Sequence, residues 1–592
     1  MAALAAVLAD GATAQGTAVE RMLAAAPHRG ERTSVEILGR CALGVSDRDG
    51  RREGSVAIAD GLAVAFAGTL DNLEDVARLG RSGERDEATP ASAVLGAWLT
   101  LGDALPNRLR GTFACIVTDG ARAWAFRDHI GLETLFYRED GERIYLASEA
   151  KQVLRGAEVP REPDVEVVEA SFYGDLEDPA RCALRGVRRL VAATLLSTDG
   201  RSLRTRPYWD PAGLLETARP SASEAAEALR ELLAQAVRRS LSGDDVVSLS
   251  GGVDSPPIAT YAAREYNRRW GKPIPALSAV YPEFPESDES EYIRLVADDL
   301  GLPLHTYEPE PQRLERLQYW VDLFDGPWST WSPEGTAERC RHAQALGAST
   351  ILSGEFAEQV SAIRAHLLTH LLWRGRFRSV AGQLRSQYGA GVGRRQLARE
   401  IREAMVPRAL ERRRMRTVNG GLIPPWIDTD RIARRDMGMA IPARLRWVRA
   451  QLPFFGGDAT GEADVYSHAL FGIRARRPWA DVDLWEFFLS LPAEVMFPDY
   501  RLKGLARTAF RGEVPDGILD RRTKSYTNQW FEQNGIDYPS LRRWLFDPEH
   551  RVAGVDYHGL RRAVEREDMA LAHYLWAKDL ATVHAFLELD GG

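Results

Sequence analysis

The chain has 592 residues, of which 45% are hydrophobic and 27% charged, and its formal net charge is -8. These values are typical of a globular protein of two or three domains, and they exclude a disordered, fibrous or membrane-embedded chain. The negative balance gives no electrostatic reason to expect nucleic acid as a partner.

The cysteines and the start of the chain predict a reduced, cytoplasmic protein. Cys41, Cys115, Cys182 and Cys340 are widely spaced and form no CxxC pair, so neither a zinc site nor a disulfide framework is indicated. The start of the chain lacks the basic leading region of a signal peptide, and no later stretch reaches about 18 uncharged apolar residues. We therefore expect no membrane partner.

Residues 1–207 are rich in predicted strands. Short apolar or alternating runs are separated by turn signals such as Asp119-Gly120 and Asp140-Gly141. The clearest runs are Leu62–Phe66, Thr112–Val117, Ala123–Phe126 and Arg143–Ala147. This pattern predicts a first domain of stacked antiparallel sheets with a few helices.

Residues 208–592 are predicted to form a second, α/β domain. A helical pattern extends from Ser223 to Leu241, and strands and helices then alternate to about residue 360. Such alternation favours a parallel sheet covered by helices, whose function gathers at the C-terminal ends of the strands. Residues 361–592 are predicted to be mostly helical, so the whole chain combines an α+β with an α/β fold.

The sharpest motif is Asp245-Val-Val-Ser-Leu-Ser-Gly-Gly-Val-Asp-Ser255, which predicts a strand, a tight turn and a helix. Gly251 and Gly252 allow positive φ angles and close backbone approach. The loop amides, the hydroxyls of Ser250 and Ser255 and the helix N-terminus then face one point, as in a phosphate site. The GxxxxGK[ST] pattern of kinase-type loops is absent, and an ordinary glycine turn is the alternative.

The segment Ser250–Ser255 resembles the SGGxDS signature of the ATP pyrophosphatases. That resemblance implies cleavage of ATP between its α- and β-phosphates. It also implies that the nucleotide is bound by the motif residues Leu249, Ser250, Gly251, Gly252, Asp254 and Ser255.

A second strand, beginning at Thr350, ends in Ser353-Gly354 and two acids. Glu355 and Glu358 are three residues apart, so they share a face if a helix begins here. Carboxylate oxygens suit Mg²⁺ near Asp254, whereas two exposed acids on a surface helix are the alternative.

This second segment resembles the SGEGxDE segment of asparagine synthetase. The resemblance implies that Asp254 and Glu358 bind Mg²⁺ and that Glu355 lies beside the acyl-adenylate, as a catalytic residue. Further likenesses are at Ala276–Tyr281, Arg477–Leu484 and Asp520–Ser525. They imply adenine contact by Val280 and a catalytic, pyrophosphate-binding role for Lys524. The SGEGxDE-like segment itself implies nucleotide contact by Ser353 and Gly354. The chain has only five lysines, namely Lys151, Lys272, Lys503, Lys524 and Lys578.

The N-terminal half resembles the glutamine-hydrolysing domain of asparagine synthetases, an Ntn-type sandwich. The likeness is carried by His28–Gly30, Phe66–Asn72, Arg127–Gly131 and Tyr145–Glu149. The resemblance places the catalytic cysteine at position 2, where this chain has Ala2, and an oxyanion-stabilising asparagine at position 67, where it has Ala67. Without nucleophile and oxyanion donor we expect this domain to be catalytically dead.

Two branches of the family that lack the glutaminase take the amine from the substrate itself: β-lactam synthetases and lasso peptide cyclases. The β-lactam branch has a tyrosine where this chain has Glu355, and the arginine-rich stretch 361–420 adds surface that a small substrate does not need. We therefore expect a lasso peptide cyclase, which closes a macrolactam between the N-terminal amine and an Asp or Glu side chain. An ammonia-dependent asparagine synthetase homologue, a β-lactam synthetase and an inert scaffold are the alternatives.

The resemblance to lasso cyclases implies the cofactors and partners of this chain. ATP and Mg²⁺ are the cofactors, and the substrate is a precursor core peptide. A leader-peptide-binding protein and a leader protease are the expected protein partners. His468 and Tyr466 are candidates for the base that deprotonates the attacking amine.

Overall fold

The computed structural model describes residues 1–592 except 10–11, 49–52, 81–87, 175, 177, 330–331, 362–366, 390–421, 436–458, 499–500, 522–524, 526 and 589–592. Lys524 and most of the arginine-rich stretch therefore lie outside the described residues. None of the described helices is both long and apolar enough to cross a membrane.

The N-terminal half forms two stacked antiparallel sheets, as the sequence predicts. Their strand orders are β10-β8-β9-β1-β3-β2 and β12-β11-β7-β6-β5-β4. The strands are β1 (Ala3–Leu8), β2 (Arg32–Leu38), β3 (Cys41–Asp47), β4 (Gly54–Ala59), β5 (Leu62–Leu70), β6 (Gly111–Thr118), β7 (Ala123–Arg127), β8 (Phe136–Asp140), β9 (Arg143–Ala147), β10 (Arg188–Arg189), β11 (Thr194–Thr198) and β12 (Leu203–Pro207).

Side-chain alternation along the strands gives this half four layers. In β5, Ala63 and Ala65 point between the two sheets, whereas Val64 and Phe66 pack beneath a helix on the outer face. The outer face of the other sheet is covered in the same way, with Val7 of β1 against Met22. The covering helices are α1 (Ala12–Ala24), α2 (Leu73–Leu79), α3 (Pro90–Leu101), α4 (Ala150–Ala157) and α5 (Val165–Tyr173).

The C-terminal half is built on a parallel sheet in the order β15-β14-β13-β16-β17. The strands are β13 (Asp245–Ser248), β14 (Ala276–Ala279), β15 (Leu304–Tyr307), β16 (Thr350–Leu352) and β17 (Arg474–Arg476). The chain first adds β14 and β15 on one side of β13 and then adds β16 and β17 on its other side. In open parallel sheets, ligands bind outside the C-terminal ends of the strands at such a reversal of strand order. β17 was not predicted, because its three residues carry no apolar pattern.

Helices cover both faces of this sheet and build the rest of the C-terminal half. The helices that precede β16 in the chain are α6 (Ala222–Ser240), α7 (Ser255–Trp270), α8 (Ser290–Leu300), α9 (Leu317–Phe324) and α10 (Pro333–Ala345). The next described helices are α11 (Ala357–Ser361), α12 (Leu367–Trp373), α13 (Phe377–Gly389), α14 (Thr429–Arg435) and α15 (Ala459–Leu470). The last are α16 (Val482–Ser490), α17 (Ala493–Met496), α18 (Gly504–Ala509), α19 (Asp516–Leu519), α20 (Asn528–Asn534), α21 (Tyr538–Leu545), α22 (Tyr557–Arg566) and α23 (Leu571–Leu587).

The two halves share hydrophobic core. One cluster runs from Val7 and Val153 in the first half to Trp320, Tyr466 and Leu580 in the second. The predicted division at residues 207 and 208 falls in the segment between β12 and α6, and it stays a prediction.

Candidate active site

The predicted phosphate loop connects β13 to α7 at the turning point of the sheet. The Ser250 amide donates to Ser255 Oγ at 2.9 Å, and the two hydroxyl oxygens lie 3.0 Å apart, so the loop closes on itself. Buried Leu249 anchors its start through a backbone bond to Leu277. Pro256 and Pro257 lie in the first turn of α7, where their missing N–H groups have no helical partner.

The glycines act by close approach and not by positive φ. Neither Gly251 nor Gly252 has a positive φ angle, so that expectation was wrong. A Cβ on Gly251 would lie 2.8 Å from Tyr292 Cβ and 2.9 Å from Glu289 Cβ, closer than packed atoms allow. The loop therefore needs glycine at position 251, because Tyr292 of helix α8 and Glu289, which caps the N-terminus of that helix, lie against it.

One of the loop N–H groups is hydrogen-bonded to a carboxylate. The Gly251 N–H donates to Glu289 Oε2 at 3.0 Å, and Arg521 Nη1 donates to the Gly251 carbonyl at 2.8 Å. Arg521 and Glu289 are also paired with each other at 2.7 Å. The amide that the sequence assigns to a phosphate oxygen thus binds an anionic oxygen here, as its position beside a helix N-terminus favours.

Two carboxylates and one lysine meet beside the loop. Lys503 Nζ lies 2.5 Å from Asp254 Oδ2 and 3.6 Å from Glu358 Oε1. The pair of acids predicted from the sequence therefore shares one cation. Their hard oxygen donors fit Mg²⁺, and the ammonium lies where a cation is stabilised by both. Among the described residues there is no group of three or more His, Cys, Asp or Glu side chains that could hold a metal ion.

Lys503 was not among the predicted site residues. Its side chain is 9% exposed, and its backbone is left-handed at φ 55 where α18 begins. The scarcity of lysine in this arginine-rich chain was the available signal, because it marks each of the five as unusual. The role of Lys524 stays a prediction, since that residue lies outside the described part of the chain.

Glu355 does not share a helix face with Glu358, which corrects the expectation. Helix α11 begins only at Ala357, and Glu355 lies in the turn before it, next to Phe356 with a φ of 71°. The left-handed residue turns the Glu355 carboxylate away from Glu358 and toward Arg477 Nε at 2.6 Å and Arg339 Nη1 at 3.5 Å.

The charge around Glu355 favours its ionised form. Burial opposes ionisation, but Arg477 and then Arg339 outweigh it and lower the pKa of the Glu355 carboxyl. Arg477 also pairs with Asp464 of α15, whose pKa is lowered by the same guanidinium against its own burial. Glu355 is therefore held as a carboxylate between two guanidinium groups.

Gly354 lets the two loops of the site touch. A Cβ there would lie 2.9 Å from the Ser255 nitrogen and 3.1 Å from Asp254 Cβ. Its neighbour Ser353 is buried and donates its N–H to the Arg476 carbonyl of β17 at 3.0 Å. Val280 follows the adjacent strand β14, half-buried, with its N–H bonded to Tyr307. The predicted nucleotide contacts therefore lie on three neighbouring strand ends.

Comparison with known proteins decides the family. Residues 228–589 match the profile of the Asparagine synthase family, and residues 1–209 match the Glutamine amidotransferase domain. The chain belongs to the asparagine synthase family. Membership makes it an ATP-dependent ligase that forms carbon–nitrogen bonds.

The relatives are distant from this asparagine synthase homologue. Asparagine synthetase [glutamine-hydrolyzing] 3 of Bacillus subtilis (strain 168) is 24% identical over 514 residues, 83% of this chain and 80% of the relative. Putative asparagine synthetase [glutamine-hydrolyzing] 2 of Methanocaldococcus jannaschii is 24% identical over 47% of this chain and 54% of its own.

Solved structures match less closely. The glutamine phosphoribosylpyrophosphate amidotransferase of B. subtilis, complexed with ADP and GMP, covers 60% of this chain and 91% of its own at 12% identity and a TM-score of 0.26. A glutamine aminotransferase class-II domain protein from Silicibacter pomeroyi covers 36% of this chain and 100% of its own, at 12% identity and a TM-score of 0.20.

In this member of the family, apolar packing surrounds positions 2 and 67, where the resemblance places the glutaminase nucleophile and its oxyanion donor. Ala2 and Ala67 are fully buried in the cluster between the two N-terminal sheets, together with Val45. All four cysteines are buried and unpaired, and burial raises the pKa of each thiol. None of them is a reactive thiolate that could replace the missing nucleophile.

The two candidate bases, Tyr466 and His468, are buried and do not face solvent. Tyr466 is fully buried, and burial raises the pKa of its hydroxyl far above the usual value. His468 is 1% exposed, with Nδ1 bonded to the Asp464 carbonyl at 2.9 Å. Neither side chain is placed to meet a substrate amine, although both lie on α15 next to the Asp464–Arg477 pair.

Proposed function

We propose that this asparagine synthase homologue is a lasso peptide cyclase, a macrolactam synthetase. It adenylates an Asp or Glu side chain of a precursor core peptide and joins that acyl group to the peptide's own N-terminal amine. AMP and pyrophosphate are released. A leader-peptide-binding protein and a leader protease act as partners, and neither nucleic acid nor a membrane takes part. The protein works in the cytoplasm.

The observation that carries this proposal is the apolar filling of the glutaminase site. Ala2 and Ala67 lie in the same buried apolar cluster as Val45, so the N-terminal half lacks the two groups that the resemblance assigns to glutamine hydrolysis. The synthetase half nevertheless retains its phosphate loop, two carboxylates and a lysine. An amine that belongs to the carboxylate substrate itself meets both conditions.

Activation of the carboxylate belongs to the cluster at the phosphate loop. A bound Mg²⁺ on Asp254 and Glu358 would neutralise phosphate charge. Lys503 and the N-terminus of α7 provide further positive charge at the same place, which stabilises the charge that develops as pyrophosphate leaves. The adenylate is needed because a carboxylate at neutral pH resists attack by an amine, whereas AMP is a good leaving group.

Glu355 favours a peptide over a β-lactam precursor as the substrate. Its ionised carboxylate, fixed by Arg477 and Arg339, would accept a hydrogen bond from the peptide's N-terminal amine in its neutral form. That hydrogen bond orients the lone pair of the amine toward the acyl carbon, and the proton lost on amide formation passes to solvent. Holding amine and acyl group together makes the attack effectively unimolecular, which is worth about 7–11 kcal/mol.

The test is a reaction with ATP, Mg²⁺ and a leader-cleaved precursor peptide. We expect a product lighter by one water that resists carboxypeptidase, and tandem mass spectrometry should place the bond between the N-terminus and an acidic side chain. Excess hydroxylamine or ammonia should compete poorly. A linear amide or hydroxamate as the main product would instead favour an ammonia-dependent enzyme similar to its asparagine synthetase relatives. AMP formation with L-aspartate and ammonia would point the same way.

A further inference from the structure

Helix α15 (Ala459–Leu470) presents polar groups on two faces. Glu462, Tyr466 and the carbonyls at its C-terminal end follow one another at spacings of three and four residues, so they lie on one face. Asp464 and His468, also four apart, lie on another. The first face contacts residues 1–207, and the second contacts the candidate active site.

At its start, the first face is fixed by a buried ion pair. Both oxygens of Glu462 accept hydrogen bonds from Arg189 of β10, with Nη2 at 2.7 Å from Oε2. Arg189 is only 4% exposed. Such fork-to-fork pairing fixes direction as well as distance, so it defines how α15 is rotated about its axis.

Two more arginines of the N-terminal half hold the rest of that face. The guanidinium of Arg29 stacks 5.3 Å from the centre of the Tyr466 ring. Arg48 Nη2 donates to the carbonyls of Ala469 at 2.8 Å and Leu470 at 3.2 Å. A cation bonded to the last carbonyls of a helix stabilises that end through the helix dipole.

The second face is connected to Glu355 by a chain of ion pairs. Asp464 accepts a hydrogen bond from Arg477 Nη2, and His468 Nδ1 lies 3.3 Å from the Asp464 carboxylate. The other side of the same guanidinium donates to Glu355 at 2.6 Å. Arg477 is 7% exposed, so it has little freedom to compensate for a movement of Asp464.

We propose that the N-terminal half positions Glu355 for the reaction by fixing α15, with Arg189 and Arg48 as positioning residues. This role explains why a domain without its nucleophile retains three arginines against one helix of the synthetase half. The inference rests on the proposed function only in that Glu355 faces the reacting amine.

Loosening α15 should change the charge on Glu355 as well as its position. The charged groups that face the Glu355 carboxyl are Arg477, Arg339 and Asp464. If Arg477 withdraws with Asp464, Glu355 keeps only the longer contact to Arg339 and its pKa rises. The acid limb of the pH–rate profile then moves to higher pH, whereas a mere loss of folded protein lowers the rate equally at all pH values.

The experiment compares Arg48→Met and the double variant Arg189→Met/Glu462→Met with wild type. The double variant removes both charges of the buried pair, so it leaves no uncompensated ion. Arg161→Met is the matched control, because it breaks the ion pairs of Arg161 with Asp322 and Asp325, which also join the two halves, without touching α15. Arg48→Lys tests rescue, since an ammonium can still donate to the helix carbonyls.

Hydrogen exchange provides a readout that needs no peptide substrate. The Ser353 N–H, which bonds to the Arg476 carbonyl, and the amides of 474–477 should exchange at least fivefold faster in both test variants with Mg–ATP present, but not in the control. The kcat for ring closure should fall about tenfold with KM for ATP unchanged, the acid limb should shift upward, and Arg48→Lys should recover most of both.

Unchanged exchange at these amides, with activity loss that follows only the fraction of folded protein, would overturn the inference. So would equal effects in Arg161→Met. If wild type makes no cyclic product, the proposed function fails, while faster exchange confined to the two test variants would still support the positioning role.

Discussion

Lys503 pairs with both carboxylates beside the phosphate loop. Its ammonium lies between Asp254 and Glu358, which are contributed by different strand ends. Because like charges so close repel each other, the two carboxylates need a cation between them. When ATP binds with its metal, the ammonium can move to the phosphates with little change in net charge. We therefore expect the residue to neutralise the two acids in the free protein and to contact phosphate oxygens when ATP is bound.

Replacement of Lys503 by alanine should lower the rate of pyrophosphate release by about 100-fold or more, the usual cost of removing one group that stabilises developing charge. Pyrophosphate release is measured with saturating substrate. Lys272→Ala is the control, because Lys272 is exposed and contacts only the Tyr266 ring among the interactions described for it. Equal rates for Lys503→Ala and Lys272→Ala would remove Lys503 from the site.

Helix α16 begins at an acidic cap whose carboxyl is difficult to ionise. Asp481 accepts the Asp483 N–H, but its burial and the nearby charge of Asp483 raise the pKa of the Asp481 carboxyl to about 6. Arg239, 3.3 Å away, offsets only part of this. The folded state thus binds a proton more tightly than the unfolded chain, whose aspartates titrate near about 3.9.

The sign of the pH effect follows from that difference. Below about pH 4 the Asp481 carboxyl is protonated in both the folded and the unfolded state, so it does not change the free energy of unfolding. Between about pH 4 and 6 the unfolded chain gains stability by ionising first, so this residue makes the fold progressively less stable as pH rises, by up to about 3 kcal/mol. Asn, which also caps helices, avoids the effect.

Asp481→Asn should therefore gain stability relative to wild type as pH rises from 4 to 7. The difference in free energy of unfolding is measured by urea titration at several pH values. Arg239 remains paired with Asp483 at 2.9 Å in the variant, which limits the side effects of the change. A difference that stays constant across this range would show that the pKa of Asp481 is not raised in the fold, and a reversed trend would show that it is lowered.

At the level of elements, local pattern predicted most strands and the phosphate loop. The runs at 62–66 and 123–126 lie within β5 and β7, and the helical pattern from Ser223 to Leu241 corresponds to α6. Periodicity suffices there, because each element has one face in the core. By contrast, β17 is a three-residue arginine-rich strand whose pairing with β16 is decided by tertiary contacts alone.

The site was predicted less completely than the fold. The resemblance implies a shared role for Asp254 and Glu358, and both contact Lys503 in the structure, while their binding of Mg²⁺ stays a prediction. The left-handed φ of Phe356 separates Glu355 from Glu358, and no propensity predicts a positive φ for phenylalanine. The pairing of Arg477 with Asp464 and Glu355 joins three distant segments of the chain. Such contacts depend on how the elements pack, which a single sequence does not encode locally.

Across the whole molecule, the halves are joined by charge as well as by apolar core. Arg476 of β17 pairs with Asp71 at 2.6 Å, and Arg110 pairs with Asp483 at 2.8 Å. Tyr466 packs in a cluster that extends into both halves. A protein of this construction loses core, not only surface, when the halves are separated.

Residues 208–592 expressed alone should therefore be largely insoluble or aggregated. The fragment exposes apolar surface around Tyr466 and leaves Glu462 without its arginine partner. Soluble yield and size-exclusion profile are the measurements, and co-expression with residues 1–207 is the control that should restore a soluble complex. A monomeric fragment with a cooperative thermal transition like that of the full chain would contradict the shared core.

The measurement that tests the account most directly follows the carboxylate oxygen. A leader-cleaved peptide carrying ¹⁸O in both oxygens of its acidic side chain is incubated with the enzyme, Mg²⁺ and ATP, and the products are weighed by mass spectrometry. Activation as an adenylate followed by ring closure predicts AMP with one ¹⁸O atom, unlabelled pyrophosphate and a cyclic peptide that retains the other ¹⁸O. Formation of ADP and phosphate, or of AMP without label, would contradict carboxylate adenylation at the Asp254–Glu358–Lys503 site.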